Sequence, residues 1–113
     1  MERIDLSNET IGQITDEIAV PDYDRSALAR SIVHIGVGGF HRAHLAVYVD
    51  ELARKGHTEW GIVGSGVMAG DVRMRDALKS QDTLFTVIAR GADELDMRVV
   101  GSHVDYVLSL IHI

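Results

Sequence analysis

The sequence predicts an α/β chain, a partial doubly wound parallel sheet, and three observations carry that prediction. Segments with strand and helix periodicity alternate as strand, helix, strand, helix, strand. The first strand ends in closely spaced glycines, and a helical pattern begins straight after them. The composition is that of an ordinary globular domain, with 46% hydrophobic and 25% charged residues among 113.

Residues 1–30 read as an arm ahead of the domain. Ile11, Ile14 and Ile18 follow a three-then-four spacing that predicts one short amphipathic helix, which Pro21 interrupts. Val20-Pro21-Asp22-Tyr23-Asp24 predicts an extended or turning connector. From Ser31, the residues Ile32, Val33, Ile35 and Val37 predict a buried strand. Leu45, Tyr48, Val49, Leu52 and Ala53 then fall on one face of a helix. Lys55-Gly56-His57 closes it, with glycine placed as a C-terminal stop. Trp60 to Val67 predicts a second strand running into a glycine-rich loop. Asp71 to Ser80 predicts a second helix, with Val72, Met74, Ala77 and Leu78 as its apolar positions. Thr83 to Ala89, rich in β-branched and aromatic residues, predicts the third strand. Arg90-Gly91-Ala92-Asp93 turns the chain, and Met97 to Val100 and Val104 to Leu108 predict further short strands.

This order supplies about one of the two mononucleotide halves of a doubly wound fold. The expected division is therefore an arm over 1–30, a partial dinucleotide-binding domain over 31–108, and a truncated or non-native tail over 109–113.

Composition narrows the function classes. A formal net charge of −6 argues against a chain that holds nucleic acid by neutralising many phosphates. The sequence has no cysteine, which rules out disulfides, thiolate metal sites and cysteine nucleophiles. No apolar run approaches the ~20 residues of a membrane span. Met1 to Asp5 lacks the basic start and apolar run of a secretory signal. Cytoplasmic residence is the expectation, without a nucleic-acid or membrane partner.

The candidate site is Gly36-Val37-Gly38-Gly39-Phe40-His41-Arg42. Gly36 and Gly38 fit the first two glycines of G-x-G-x-x-G, where the first makes the turn and the second admits the pyrophosphate to the backbone. His41 stands at the third position, which predicts a loop geometry different from the common one. Arg42, at the helix start, is placed either to pair with a phosphate or to sit solvated. His41 and His44 share a helix face, but without a third ligand the spacing predicts no metal site. Asp71, 35 positions after Gly36, follows the second strand. It is a candidate both for helix capping and for the adenosine ribose hydroxyls. A carboxylate there repels a 2′-phosphate and favours NAD over NADP, with Arg73 and Arg75 acting against that preference.

Ile32 to His44 closely resembles the polyol-specific long-chain dehydrogenases, the mannitol dehydrogenase family. Its signature G-x-G-x-F-x-R-x-H is met by Gly36, Gly38, Phe40, Arg42 and His44. The resemblance extends over roughly residues 20 to 108, through Trp60 to Met68, Asp71 to Asp76 and Gln81 to Thr86. Val20 to Arg25 looks like the lead-in of its mannitol 2-dehydrogenase branch. The resemblance implies an NAD-dependent oxidoreductase interconverting a sugar alcohol and a ketose, working without a metal. It implies that acid/base chemistry built around a lysine lies in a C-terminal, mostly helical substrate domain absent from this sequence. Lys55 and Lys79 match no such position, so no catalytic residue is expected here, and the chain alone is expected to be inactive. A fructuronate-type hexuronate reductase of the same family and a non-catalytic nucleotide-binding fragment are the competing readings.

Overall fold

The structure, a computed structural model, describes residues 4–14 and 17–108. The tail expected over 109–113 lies outside the described residues.

The strand that leads into the glycines is β2 (Arg30–Ile35), the central element is β3 (Gly61–Gly66), and β6 (His103–Leu108) completes a parallel sheet in the order β2-β3-β6. Between β2 and β3 run α1 (Gly39–Ala43) and α2 (Leu45–Arg54), and α3 (Val72–Lys79) follows β3. A second sheet, β1-β5-β4, is made by β1 (Ile18–Ala19), β4 (Phe85–Arg90) and β5 (Leu95–Val100).

The alternation of strands and helices is as expected, but the third parallel strand is not Thr83 to Ala89. That segment, as β4, pairs antiparallel with β5, Phe85 opposite Val100. The connection explains it. Gly91 N–H donates to Glu94 O at 2.9 Å, a hairpin closure too short for a parallel crossover. The helix expected from Ile11, Ile14 and Ile18 is also absent. Ile11–Gln13 makes a single 3-10 turn, Ile14 is extended, and Ile18 pairs in parallel with Met97 of β5. Isoleucine suits that pleated position better than a marginal helix.

Helices α2 and α3 and the hairpin pack on one face of the β2-β3-β6 sheet. Ile62 and Tyr106 meet Ala46 and Val49 of α2, Leu78 of α3, Phe85 of β4 and Val100 of β5 there. Full burial of a side chain such as Ile62 contributes about 1.5–3 kcal/mol. The opposite face carries Val33, Ile35 and Val107, which are 72%, 67% and 47% exposed. The expectation of a buried strand from Ile32, Val33, Ile35 and Val37 is therefore corrected at two positions: Ile32, His34 and Val37 face the core, and Val33 and Ile35 do not.

The helix after the glycines is also not continuous. It breaks at His44 (φ −121°, ψ −87°), and the buried face of α2 is Ala46, Val49, Asp50 and Ala53. Tyr48 and Leu52, expected inside, are exposed. The small Ala46 lets the helix approach the sheet, and Asp50 is buried because donors from elsewhere reach it. Tyr23 Oη donates to its Oδ1, as does Gly101 N–H at 3.0 Å. Arg54 Nε donates to Oδ2 at 2.8 Å and Arg98 Nη2 at 3.3 Å.

Candidate functional site

Gly36 turns the chain at the end of β2 with φ +91°, a conformation that L side chains rarely adopt. Its N–H extends the ladder by donating to Ser65 O at 2.8 Å. Val37 then plunges into the core. This anchors the turn from below and leaves Gly38 as the extended residue ahead of α1. Arg42 N–H closes the first helical bond on Gly38 O at 3.1 Å. The amides of Gly39, Phe40 and His41 precede any intrahelical partner and point out of the helix start, where partial positive charge gathers.

The glycines of β3 and those of the turn differ in what surrounds them. A Cβ built on Gly64 would come within 2.7 Å of Val37 Cγ2, and one on Gly66 within 2.3 Å of Tyr106 Oη. Protein packing demands glycine at both. A Cβ on Gly36, Gly38 or Gly39 would meet nothing within 4 Å. Backbone at these three residues faces open space, as a group laid against the amides requires.

Around this turn the structure gathers most of the expected residues. Arg42 folds back, its Nε donating to Gly38 O at 3.3 Å. Phe40 stacks on His44 with ring centroids 4.1 Å apart, and both are exposed. Asp71 lies at the neighbouring strand end, since β2 and β3 run in parallel with Ile35 opposite Ser65. Its Oδ2 accepts from Val67 N–H at 3.1 Å and Met68 N–H at 3.0 Å. The capping role is thereby corrected in detail. Asp71 makes no side-chain cap to α3 itself; it accepts the Met68 N–H that caps the 3-10 turn Ala69–Asp71 leading into α3, and so fastens the loop that leaves β3. Among the described residues its Oδ1 carries no hydrogen bond.

His41 does not push the helix off the sheet. It is buried, with Nε2 2.8 Å from Nε2 of His103. His34 stacks on it at 3.8 Å and holds Gly36 O through Nδ1 at 2.8 Å. Burial, then the nearby His34 and Arg42, lower the His41 pKa to about 4. Burial and the neighbouring His41, His34, Arg25 and Arg42 lower that of His103 to about 3. His103 carried no readable signal in the sequence, because its partner is 62 positions away. Among the described residues no group of three or more histidines and carboxylates could hold a metal ion. No described helix is long and apolar enough to cross a membrane.

Comparison with known proteins bears on this geometry directly. Residues 30–109, from the start of β2 past the end of β6, match the mannitol dehydrogenase Rossmann domain. The chain belongs to the mannitol dehydrogenase family. Mannitol 2-dehydrogenase of Aspergillus terreus is 47% identical over 115 aligned residues, 96% of this chain and 23% of that protein. Mannitol dehydrogenase 2 of Saccharomyces cerevisiae is 40% identical, over 89% of this chain and 20% of the yeast protein. Among solved structures, the Pseudomonas fluorescens mannitol 2-dehydrogenase ternary complex with NAD and D-mannitol superimposes with a TM-score of 0.87. It is 41% identical, covering 91% of this chain and 21% of that one. A D-sorbitol dehydrogenase in substrate-free form gives 0.81 at 31% identity, covering 91% of this chain and 22% of that one. The chain thus spans about a fifth of the length of these family members.

Proposed function

We propose that this chain forms the cofactor-binding part of an NAD-dependent oxidoreductase that interconverts a sugar alcohol and a ketose of the mannitol/fructose type. The observation that carries the reading is the open space over Gly36, Gly38 and Gly39 at the end of β2, beside strand glycines that are tightly packed. Family membership supports it, as does the Pseudomonas relative described in complex with NAD and D-mannitol.

In this reading the turn formed by Gly36, Val37, Gly38, Gly39, Phe40 and His41 receives the diphosphate on the free amides of Gly39, Phe40 and His41, with the Arg42 guanidinium alongside. Asp71 accepts from the adenosine ribose through Oδ1 while Oδ2 keeps its loop in place. When bound, NAD supplies the hydride acceptor. The residues of this chain hold and orient it. The polyol or ketose and the group that moves its proton belong to a substrate domain outside this sequence. The chain alone is inactive, and cytoplasmic residence goes with the reading. Residues 1–30 act as an arm and 31–108 as the dinucleotide-binding part.

The test is equilibrium binding of NADH and NADPH to the wild type and to Asp71→Ala. Preference for NADH should fall in the variant, because the carboxylate that repels a 2′-phosphate is gone. Unchanged discrimination would remove Asp71 from the site.

A further inference from the structure

One pair of side chains beneath the turn is left without a role by the cofactor reading. His41 is the one buried residue of α1. Its ring meets His103, the first residue of β6, nitrogen to nitrogen at 2.8 Å, and the two residues are 6% and 0% exposed. Nδ1 of both rings is buried without a hydrogen-bond partner among the described residues. Phe85 closes the far side of His103 edge-on at 5.7 Å. Gly64 makes room for the pair, since a Cβ there would lie 3.0 Å from His103 Cε1.

A 2.8 Å contact between two ring nitrogens needs one proton between them. A neutral imidazole carries a single N–H. One ring is therefore the Nε2–H tautomer and donates. The other accepts on Nε2 and keeps its own proton on Nδ1, where nothing receives it. The ionisable groups facing the pair are His34 from β2, Arg42 from α1 and Arg25 from the segment before β2. All are basic, so none of them stabilises a further proton on the pair. A fully protonated pair would set two donors against each other and lose the bond.

The same ring controls the turn. Since α1 has no other buried side chain and breaks at His44, its first turn is seated on the sheet through His41, by the hydrogen bond to His103 and the stack on His34. We propose that His103 is a positioning residue for the cofactor turn: through a single shared proton it holds His41, and with it the direction of the Gly39, Phe40 and His41 amides. This rests on the reading of the turn as the NAD site. His103 touches no cofactor in this account and acts only through His41.

Two measurements test it. Two-bond proton–nitrogen NMR of the histidine rings near pH 6.5 should show one Nε2–H and one Nδ1–H tautomer for His41 and His103, both neutral. Two Nε2–H tautomers, or an imidazolium at either ring, would overturn the proposal without touching the cofactor reading. Calorimetric titration with NADH should show His103→Leu weakened about tenfold, the effect of stranding a buried ring nitrogen. His103→Gln, whose amide nitrogen reaches the place of Nε2, should recover most of that loss. Equal affinity in His103→Leu and the wild type, or no recovery in His103→Gln, would overturn it. A wild type that fails to bind NADH would remove the cofactor reading and this proposal together.

Discussion

Tyr106 Oη occupies the space that a side chain on Gly66 would need: a Cβ there would stand 2.3 Å from that oxygen and 2.5 Å from Asp71 Cβ. The end of β3, the buried tyrosine of β6 and the carboxylate proposed for the ribose are thus packed as one unit.

Gly66→Ala should therefore destabilise the fold by about 1–3 kcal/mol, the usual cost of overpacking. In a Tyr106→Phe background the added methyl should cost less, because the oxygen it meets is gone. Urea unfolding of the two single variants and the double variant measures the coupling. Strict additivity would contradict the packing described.

Gly39→Ala should behave in the opposite way. It lies in the first turn of α1 without positive φ, and its Cβ would meet no protein atom. Stability should hold or rise by a few tenths of a kcal/mol up to about 1 kcal/mol, as for alanine replacing helical glycine. NADH affinity should nonetheless fall, because the methyl enters the space proposed for the diphosphate. A Tm measurement paired with calorimetry separates the two effects, and a variant that binds NADH as well as the wild type would argue against the cradle.

The donors that converge on the buried carboxylate of Asp50 should be expensive to orphan. Asp50 is 0% exposed and pairs with Arg54 and Arg98, so Asp50→Ala leaves two guanidinium groups, the Tyr23 hydroxyl and the Gly101 N–H facing a vacated site. A loss of about 3–5 kcal/mol is expected, a large share of the stability of a small domain. A melting temperature close to that of the wild type would show that the cluster contributes little.

Acid should weaken the fold through the histidine pair. In the folded chain the His41 pKa is lowered from 6.5 to about 4 and that of His103 from 6.5 to about 3. Below 6.5 the unfolded chain binds these protons and the folded chain does not. Their contribution is therefore complete above pH 6.5 and is lost progressively as the pH falls through the folded values. Urea unfolding between pH 7.5 and 4 should show this decline, and His103→Leu should make it shallower. An unchanged slope in the variant would mean that the pair does not govern it.

Part of this architecture is written locally, and that part was readable. Gly36 announces a left-handed turn by lacking a side chain, and Gly56, at φ +96°, ends α2 in the same way. The strand–turn–helix unit needs only such near-neighbour signals. What escaped reading depends on partners remote in the chain. The pattern of Phe85 to Arg90 says strand, but only its pairing with β5 says which sheet. Asp50 looks like a surface residue until Tyr23, Arg98 and Gly101 arrive from other segments. Val33 and Ile35 look like core until the sheet is seen to be covered on one face. The place of Asp71 just after β3 is legible from the order of elements, whereas its loop-fastening bonds and the His41–His103 contact are not.

The amides that open α1 are proposed to receive the diphosphate of NAD. Titrating the isotopically labelled chain with NAD and following backbone amide shifts tests it most directly, and tolerates weak binding. Saturable shifts should centre on Gly38, Gly39, Phe40 and His41 and extend to the Val67 to Asp71 loop. Saturable shifts centred elsewhere, or amides of this turn that stay fixed at saturating NAD, would contradict it.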